Sequence, residues 1–226
     1  KEYRQWKSEH NSSSIRGLSL DLNDQPVSNI AWQDAALFCN WLSEKENLPK
    51  FYNVVGDRVT SINWDSNGYR LPTESEWSWV AKVTKAGSTK VFPWNSSSYP
   101  PPFVSGNYAD ESAKSMLPFT ISNYNDAFPV SASVGSFQPN EKGIFNLSGN
   151  VAEWVNDFYE IRVNKSEPLV DYRGPNTGNR HVIRGASWAL GSRSELRLSY
   201  REPGYDGKID VGFRIARYVD KPKGDL

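Results

Sequence analysis

Apolar side chains recur at a helical period in two stretches of the chain. Trp32, Ala35, Ala36, Cys39 and Leu42 stand at i, i+3, i+4, i+7 and i+10, one stripe of an amphipathic helix after PVSNI. A second helix is predicted from Pro72-Thr73-Glu74-Ser75-Glu76, where Thr73 can accept from the amide of Glu76 and the Glu76 side chain can answer. Trp77, Val80 and Ala81 then form its inner face. Strands are expected at 181–184, 195–200 and 212–217, where β-formers or alternation occur in short runs. DSNG at 65–68, WNSSSYPPPF at 94–103 and GPNTGN at 174–179 are turn chemistry. No fixed-period repeat is visible and the Ser/Pro stretch is too short for a domain linker, so residues 1–226 read as one loop-rich α+β domain.

Composition narrows the chemistry. The 226 residues are 38% hydrophobic and 13% aromatic, enough to bury a full core, with nine Trp, eleven Tyr and ten Phe to hold a fold poor in regular elements. Lys plus Arg and Asp plus Glu each count 26, without a basic block, which argues against a nucleic-acid partner. No apolar run approaches a membrane-spanning length and the opening KEYRQWKSEH has no signal-peptide core, so no membrane insertion is expected. With no initiator methionine, the chain is expected to be a processed or trimmed piece. A single cysteine, Cys39, excludes an internal disulfide, a CxxC pair and a cysteine zinc site. On the helix stripe it reads as a small buried hydrophobe. His10 and His181 cannot make a three-histidine metal centre.

PVSNIAWQDAALFCNWL, YRLPTESEWSWVA, FPWN, GNYAD, GIFNLSGNVAEWVNDFY, VIRGASW, LRLSYR and VGFRIAR occur in this order. Together they resemble the formylglycine-generating enzyme (sulfatase-modifying factor) family, from Tyr3 to Tyr218. The resemblance implies a variant of the C-type lectin fold. It also implies that family strands precede the Tyr3 to Trp6 segment and are missing here, leaving open whether another segment supplies them.

In active relatives two cysteines five residues apart, just after a Gly-Gly-Ser-Trp-like segment, hold copper as thiolates. Here that segment is Gly185-Ala186-Ser187-Trp188 and the two positions fall on Leu190 and Glu195, neither of which replaces a soft thiolate toward Cu(I). No copper is expected. Related sulfoxide synthases add a helical domain with iron-binding histidines, which is also lacking here. Ser187 aligns beside the metal but has no base or metal to activate it.

The resemblance further implies one or two structural Ca²⁺ ions, which take about six to eight hard oxygens. One set is the side chains of Asn146 and Glu153 with the carbonyls of Gly149 and Val151; the other is the side chains of Asn107 and Asp126 with the carbonyls of Tyr108 and Phe128. Read without the resemblance, Asn146, Gly149 and Asn150 are turn formers and Glu153 a surface carboxylate. Arg197, Arg201 and Arg214 read as internal pairing partners.

The expectation is a non-catalytic, calcium-stabilised module that binds a protein or small-molecule ligand through 189–210, with Trp188, Arg193, Tyr200, Arg201 and Tyr205 as recognition residues. One alternative is a metal-dependent oxidase using atypical ligands or a partner chain. Another is a scaffold subunit of a bacterial cell-surface assembly, which favours an extracytoplasmic location. Asn11, Asn95 and Asn164 head N-x-S sequons that matter only where the source glycosylates.

Overall fold

The computed structural model describes residues 1–161 and 171–219. A 3-10 turn at Tyr3–Gln5 leads into a small hairpin of β1 (Ser14–Ile15) and β2 (Leu18–Ser19), then α1 (Trp32–Lys45). A second hairpin of β3 (Tyr52–Val55) and β4 (Arg58–Ile62) precedes α2 (Glu74–Lys82). Turns then dominate, with one 3-10 turn at Glu111–Ala113, until four strands follow: β5 (Ala152–Phe158), β6 (His181–Arg184), β7 (Arg201–Gly204) and β8 (Val211–Phe213). These four make a mixed sheet ordered β7-β6-β5-β8, antiparallel except for the β5/β8 pair. The architecture is α+β and loop-rich, as the sequence predicts.

Both predicted helices form. The first has no side-chain N-cap at Ala31; its start is fixed from outside, by the Trp32 indole donating to the Val155 carbonyl at 2.9 Å and stacking on His181 with centroids 3.6 Å apart. Its buried amide, Asn40, donates to the Tyr52 carbonyl at 2.7 Å and accepts from the Tyr52 amide at 3.1 Å, tying α1 to β3. The second helix carries the expected capping box between Thr73 and Glu76. The Glu76 carboxylate also takes both Arg70 terminal nitrogens at 2.7 Å, which aligns the helix entry with the buried Arg70. Trp77 and Ala81 face inward as predicted, while Val80 is only half-buried.

The strand expectations fare unevenly. β6 has the predicted bounds, and β8 occupies the start of 212–217 before Ala216 bridges to Arg70. The strand expected at 195–200 is absent. Leu196 and Leu198 are buried with the alternation of a strand, but the carbonyls of Leu198, Ser199 and Tyr200 converge on the buried Arg184 guanidinium at 2.8, 3.2 and 2.8 Å. The backbone there closes turns in place of a ladder, the Leu196 amide donating to the Ser192 carbonyl at 3.1 Å and the Tyr200 amide to the Arg197 carbonyl at 2.8 Å. The strand begins one residue later and contains Pro203, tolerated because β7 lies at the sheet edge.

Strand β5 passes through the centre, buried at every residue from Ala152 to Asp157. Its Trp154 indole donates to the Ile30 carbonyl at 3.0 Å. Gly204 of β7 lies against that ring, and a Cβ there would fall 2.0 Å from Trp154 Cη2. Gly204→Ala is therefore expected to destabilise by about 1 to 3 kcal/mol, because neither the ring nor the strand has room to move. Thermal melting should show a loss of several degrees; a melting temperature equal to the parent's would refute this packing.

Two groups, the buried Asp157 and the half-buried His181, give opposite pH dependences. Burial, opposed by its bond to the Glu74 amide and reinforced by Glu74 and Glu76, pushes the Asp157 carboxyl up to about 7. Burial pulls His181 down to about 4. As pH rises toward 7 the unfolded chain has already released the proton that folded Asp157 retains, so Asp157 withdraws stability. As pH falls from about 6.5 toward 4 the unfolded chain takes up a proton that folded His181 refuses, so His181 withdraws stability in the other direction. Asp157→Asn should thus gain stability relative to the parent as pH rises between about 4 and 7, by at most about 1.4 kcal/mol per pH unit. His181→Gln should lose relative stability over the same interval. Parallel denaturant titrations at three pH values test both signs.

Candidate functional site

The segment expected to hold a catalytic thiolate pair is built for packing. Leu190 joins an apolar cluster with Phe92, Trp94, Tyr108, Ile121 and Leu196. Glu195 turns its carboxylate back on its own loop, accepting from the amides of Gly191 at 3.2 Å and Ser192 at 2.8 Å. Tyr99 Oη fastens the same loop by donating to the Gly191 carbonyl at 2.6 Å. Ser187 is buried and donates to Asp210 Oδ2 at 2.7 Å, with no histidine bonded to either. Cys39 is buried in α1, where burial pushes its thiol up and keeps it protonated. Neither the residue types nor their contacts fit a Cu(I) site.

The oxygens around Asn107 and Asp126 are arranged differently. Asp126 Oδ2 accepts from the Tyr108 amide and Oδ1 from the Phe128 amide, both at 3.0 Å, so one carboxylate joins the two backbone segments whose carbonyls were expected as ligands. Asn107 Nδ2 donates to the Val130 carbonyl at 2.8 Å and to Asn150 Oδ1 at 3.1 Å, which fixes the amide plane. Its Oδ1 is buried and has no hydrogen-bond partner. Asp110 lies beside this group, accepting from the Asp126 amide at 2.6 Å and capping the 3-10 turn at Glu111–Ala113. Burial, reinforced by Asp110, pushes Asp126 up to about 7. A buried amide oxygen without a partner, on the residue before the amide that the buried Asp126 carboxylate accepts from, is donor chemistry that fits a hard cation.

The loop from Asn146 to Glu153 shows the contrary balance. Asn146 Oδ1 is also buried without a partner, but the Glu153 carboxylate is fully engaged. Arg214 Nε donates to Oε2 at 2.7 Å and Nη2 to Oε1 at 2.5 Å, while the Trp77 indole donates to Oε2 at 2.7 Å. Far from lying at the surface, Glu153 is only 4% exposed. Gly149 packs beneath Tyr108, where a Cβ would come 3.3 Å from the ring. The two loops are one unit: the Asn150 amide donates to the Asn107 carbonyl at 2.9 Å, and Tyr108 Oη to the Ser148 carbonyl at 3.1 Å. Asn150 is the hub, with its side chain bonded to both polar backbone groups of Ala132 at 2.7 and 3.0 Å. Sequence reasoning read Asn150 as a turn former and missed Asp110; the repeated Asn and Asp around the two motifs were the available signal. Among the described residues no cluster of three or more His, Cys, Asp or Glu suited to a metal occurs.

The expected recognition residues are dispersed in exposure. Trp188 is buried against Leu20, Val130 and Val151 and presents no face to a ligand. Arg201 pairs with Glu74 at 2.7 Å and stacks on Tyr159, and Tyr200 bonds Glu202, so both hold the fold together. Arg193 is exposed and Tyr205 is 71% exposed. Arg214 pairs internally as expected, whereas Arg197 points outward. Asn11 and Asn95 are exposed; Asn164 lies outside the described residues.

This fold and these motifs recur in known proteins. The chain is 27% identical over 207 residues to the formylglycine-generating enzyme of Streptomyces coelicolor, covering 89% of this chain and 55% of that protein. It is 28% identical over 216 residues to inactive C-alpha-formylglycine-generating enzyme 2 of Mus musculus, covering 89% of this chain and 59% of the relative. To the chaperone protein LppX of Paenibacillus barcinonensis it is 30% identical over 233 residues, covering 92% and 73%. The chain thus spans little more than half the length of the first two. Treponema denticola variable protein 1 superposes with a TM-score of 0.69 at 27% identity, over 95% of this chain and 77% of that structure. The family model for the sulfatase-modifying factor enzyme 1-like domain matches residues 2–219, and the chain belongs to that family.

Proposed function

We propose that the chain is a non-catalytic member of its family, a calcium-stabilised module that recognises a protein partner. One observation carries the reading: the two positions at which active relatives hold copper are structural here, Leu190 in an apolar cluster and Glu195 on its own loop amides. The similarity to a relative named inactive supports it, as does the similarity to one named a chaperone protein. A protein partner is favoured over a small apolar ligand because the cavity of about 520 Å³ beside the β1/β2 hairpin is lined by Asn11, Ser13, Ser14, Ser19, Asp21 and Asn29, all polar. Exposed Arg193 and Tyr205 are the recognition residues that remain available.

Calcium, when bound, neutralises the buried acidic pair. Asn107 Oδ1, the Asp126 carboxylate and the carbonyls of Tyr108 and Phe128 would hold it. Asn107 is oriented for this role by Val130 and Asn150, and Asp126 by the two amides it accepts from.

Incubation of the protein with a Cys-x-Pro-x-Arg peptide, with and without copper, should leave the peptide cysteine unchanged by mass spectrometry. Aldehyde formation above a no-protein control would establish an enzyme and sink the non-catalytic reading. Calcium at roughly a hundred times its Kd should stabilise the fold by about 2 to 3 kcal/mol, raising the melting temperature by about 5 to 10 °C over EGTA. Asp126→Asn should abolish most of that difference. Equal melting curves in calcium and EGTA would refute calcium stabilisation.

A further inference from the structure

We infer that the Arg214 guanidinium is the resident cation of the 145–153 loop, and that this loop therefore binds no calcium; the inference rests on the calcium reading of the Asn107/Asp126 site and assigns the chain a single ion. The loop is one that needs fastening. Asn146, Ser148 and Asn150 all have left-handed backbones, with φ of +54°, +62° and +70°. Non-glycine residues hold that conformation only where surrounding contacts enforce it.

Arg214 supplies such contacts at both ends of the loop. Its Nη2 donates to the Phe145 carbonyl at 3.2 Å at the loop's entrance and to Glu153 Oε1 at 2.5 Å at its exit, and its Nε closes the bidentate pair on Oε2 at 2.7 Å. A divalent ion ligated by Asn146 and Glu153 would clamp the same two ends. The two arrangements compete for the same carboxylate. Glu153 Oε2 already accepts from both Arg214 and Trp77 and Oε1 accepts from Arg214, so an ion would have to share Oε1 with the guanidinium and set a second positive charge against it on the same carboxylate. What the loop then offers is the Asn146 amide oxygen and backbone carbonyls, a neutral set with little hold on Ca²⁺. The Asn107/Asp126 group has no such occupant: its carboxylate takes only backbone amides, and its neighbour Asp110 adds negative charge.

Isothermal titration of the full chain with CaCl₂, together with melting in calcium and in EGTA, tests the assignment on the parent, Asp126→Asn, Glu153→Gln and Arg214→Gln. The expected result is one ion per chain. Asp126→Asn should lose it. Glu153→Gln and Arg214→Gln should melt lower than the parent by the same amount in both buffers, keeping the parent's calcium increment. Two ions in the parent with one lost in Glu153→Gln, or a single ion that Glu153→Gln loses and Asp126→Asn keeps, would overturn the inference, and both results are read without Arg214→Gln. No ion in the parent would instead overturn the calcium reading of the Asn107/Asp126 site while leaving the 145–153 loop ion-free as inferred.

Discussion

Every polar side chain on β5 has to find its partner inside the protein, because the strand is buried from Ala152 to Asp157 and carries Glu153, Asn156 and Asp157 in that stretch. Each is answered by a different part of the chain. Glu153 takes Arg214 and Trp77, Asn156 Oδ1 accepts from Tyr52 Oη at 3.0 Å, and Asp157 Oδ2 accepts from the Glu74 amide at 2.7 Å while its Oδ1 stays buried without a hydrogen-bond partner. The tryptophan indoles work in the same direction, Trp154 reaching Ile30 and the Val155 carbonyl receiving Trp32. One strand thereby sets the position of α1, α2, the β3/β4 hairpin and the segment after β8. A chain with so little regular structure gains a defined interior from these bonds, because leaving a buried polar group on β5 unpaired carries its full desolvation cost.

That dependence explains how the catalytic positions of the family could be vacated without losing the fold. Leu190 and Glu195 lie far along the chain from the partners of β5, in a loop whose own requirements are an apolar plug and a capped turn. A leucine and a glutamate meet those requirements without any thiolate. Glu195 is an economical replacement in this sense, since a carboxylate that accepts from two amides stabilises the turn directly. The fold does not rest on the residues of this loop.

How much of this was legible in the sequence follows from the range of the interactions. The helices were readable because their signals are local: a 3.6-residue apolar period for α1, and Thr73 with Glu76 for α2. The fold was readable through RLPTESEW, NLSGNVAEW and RGASW taken together. The strand expected at 195–200 failed because Arg184, distant in sequence, draws in its carbonyls, and apolar alternation at Leu196 and Leu198 is the same whether the chain is extended or turned. Trp188 was misplaced for a related reason: an aromatic residue beside a functional motif looks the same in sequence whether its ring is buried or presented. Of the oxygens expected to hold metal, the Asp126 carboxylate bonds the amides of Tyr108 and Phe128, while the loop that better matched the family's spacing holds a carboxylate already paired with Arg214. Spacing identifies which oxygens converge but carries no information about a guanidinium arriving from another strand.

The consequence for the interior is a division of labour between two kinds of positive charge. Around Glu153 the compensating charge is covalently part of the chain, so its concentration at the site is fixed. Around Asp126 and Asp110 no guanidinium or ammonium is bonded to either carboxylate, and the nearest relief offered by the protein is a set of backbone amides. Amides lower the cost of a buried negative charge but carry no net charge of their own, which is why burial still dominates at Asp126. The two loops touch through Asn107 and Asn150, so the built-in cation and the acidic pair belong to one bonded network.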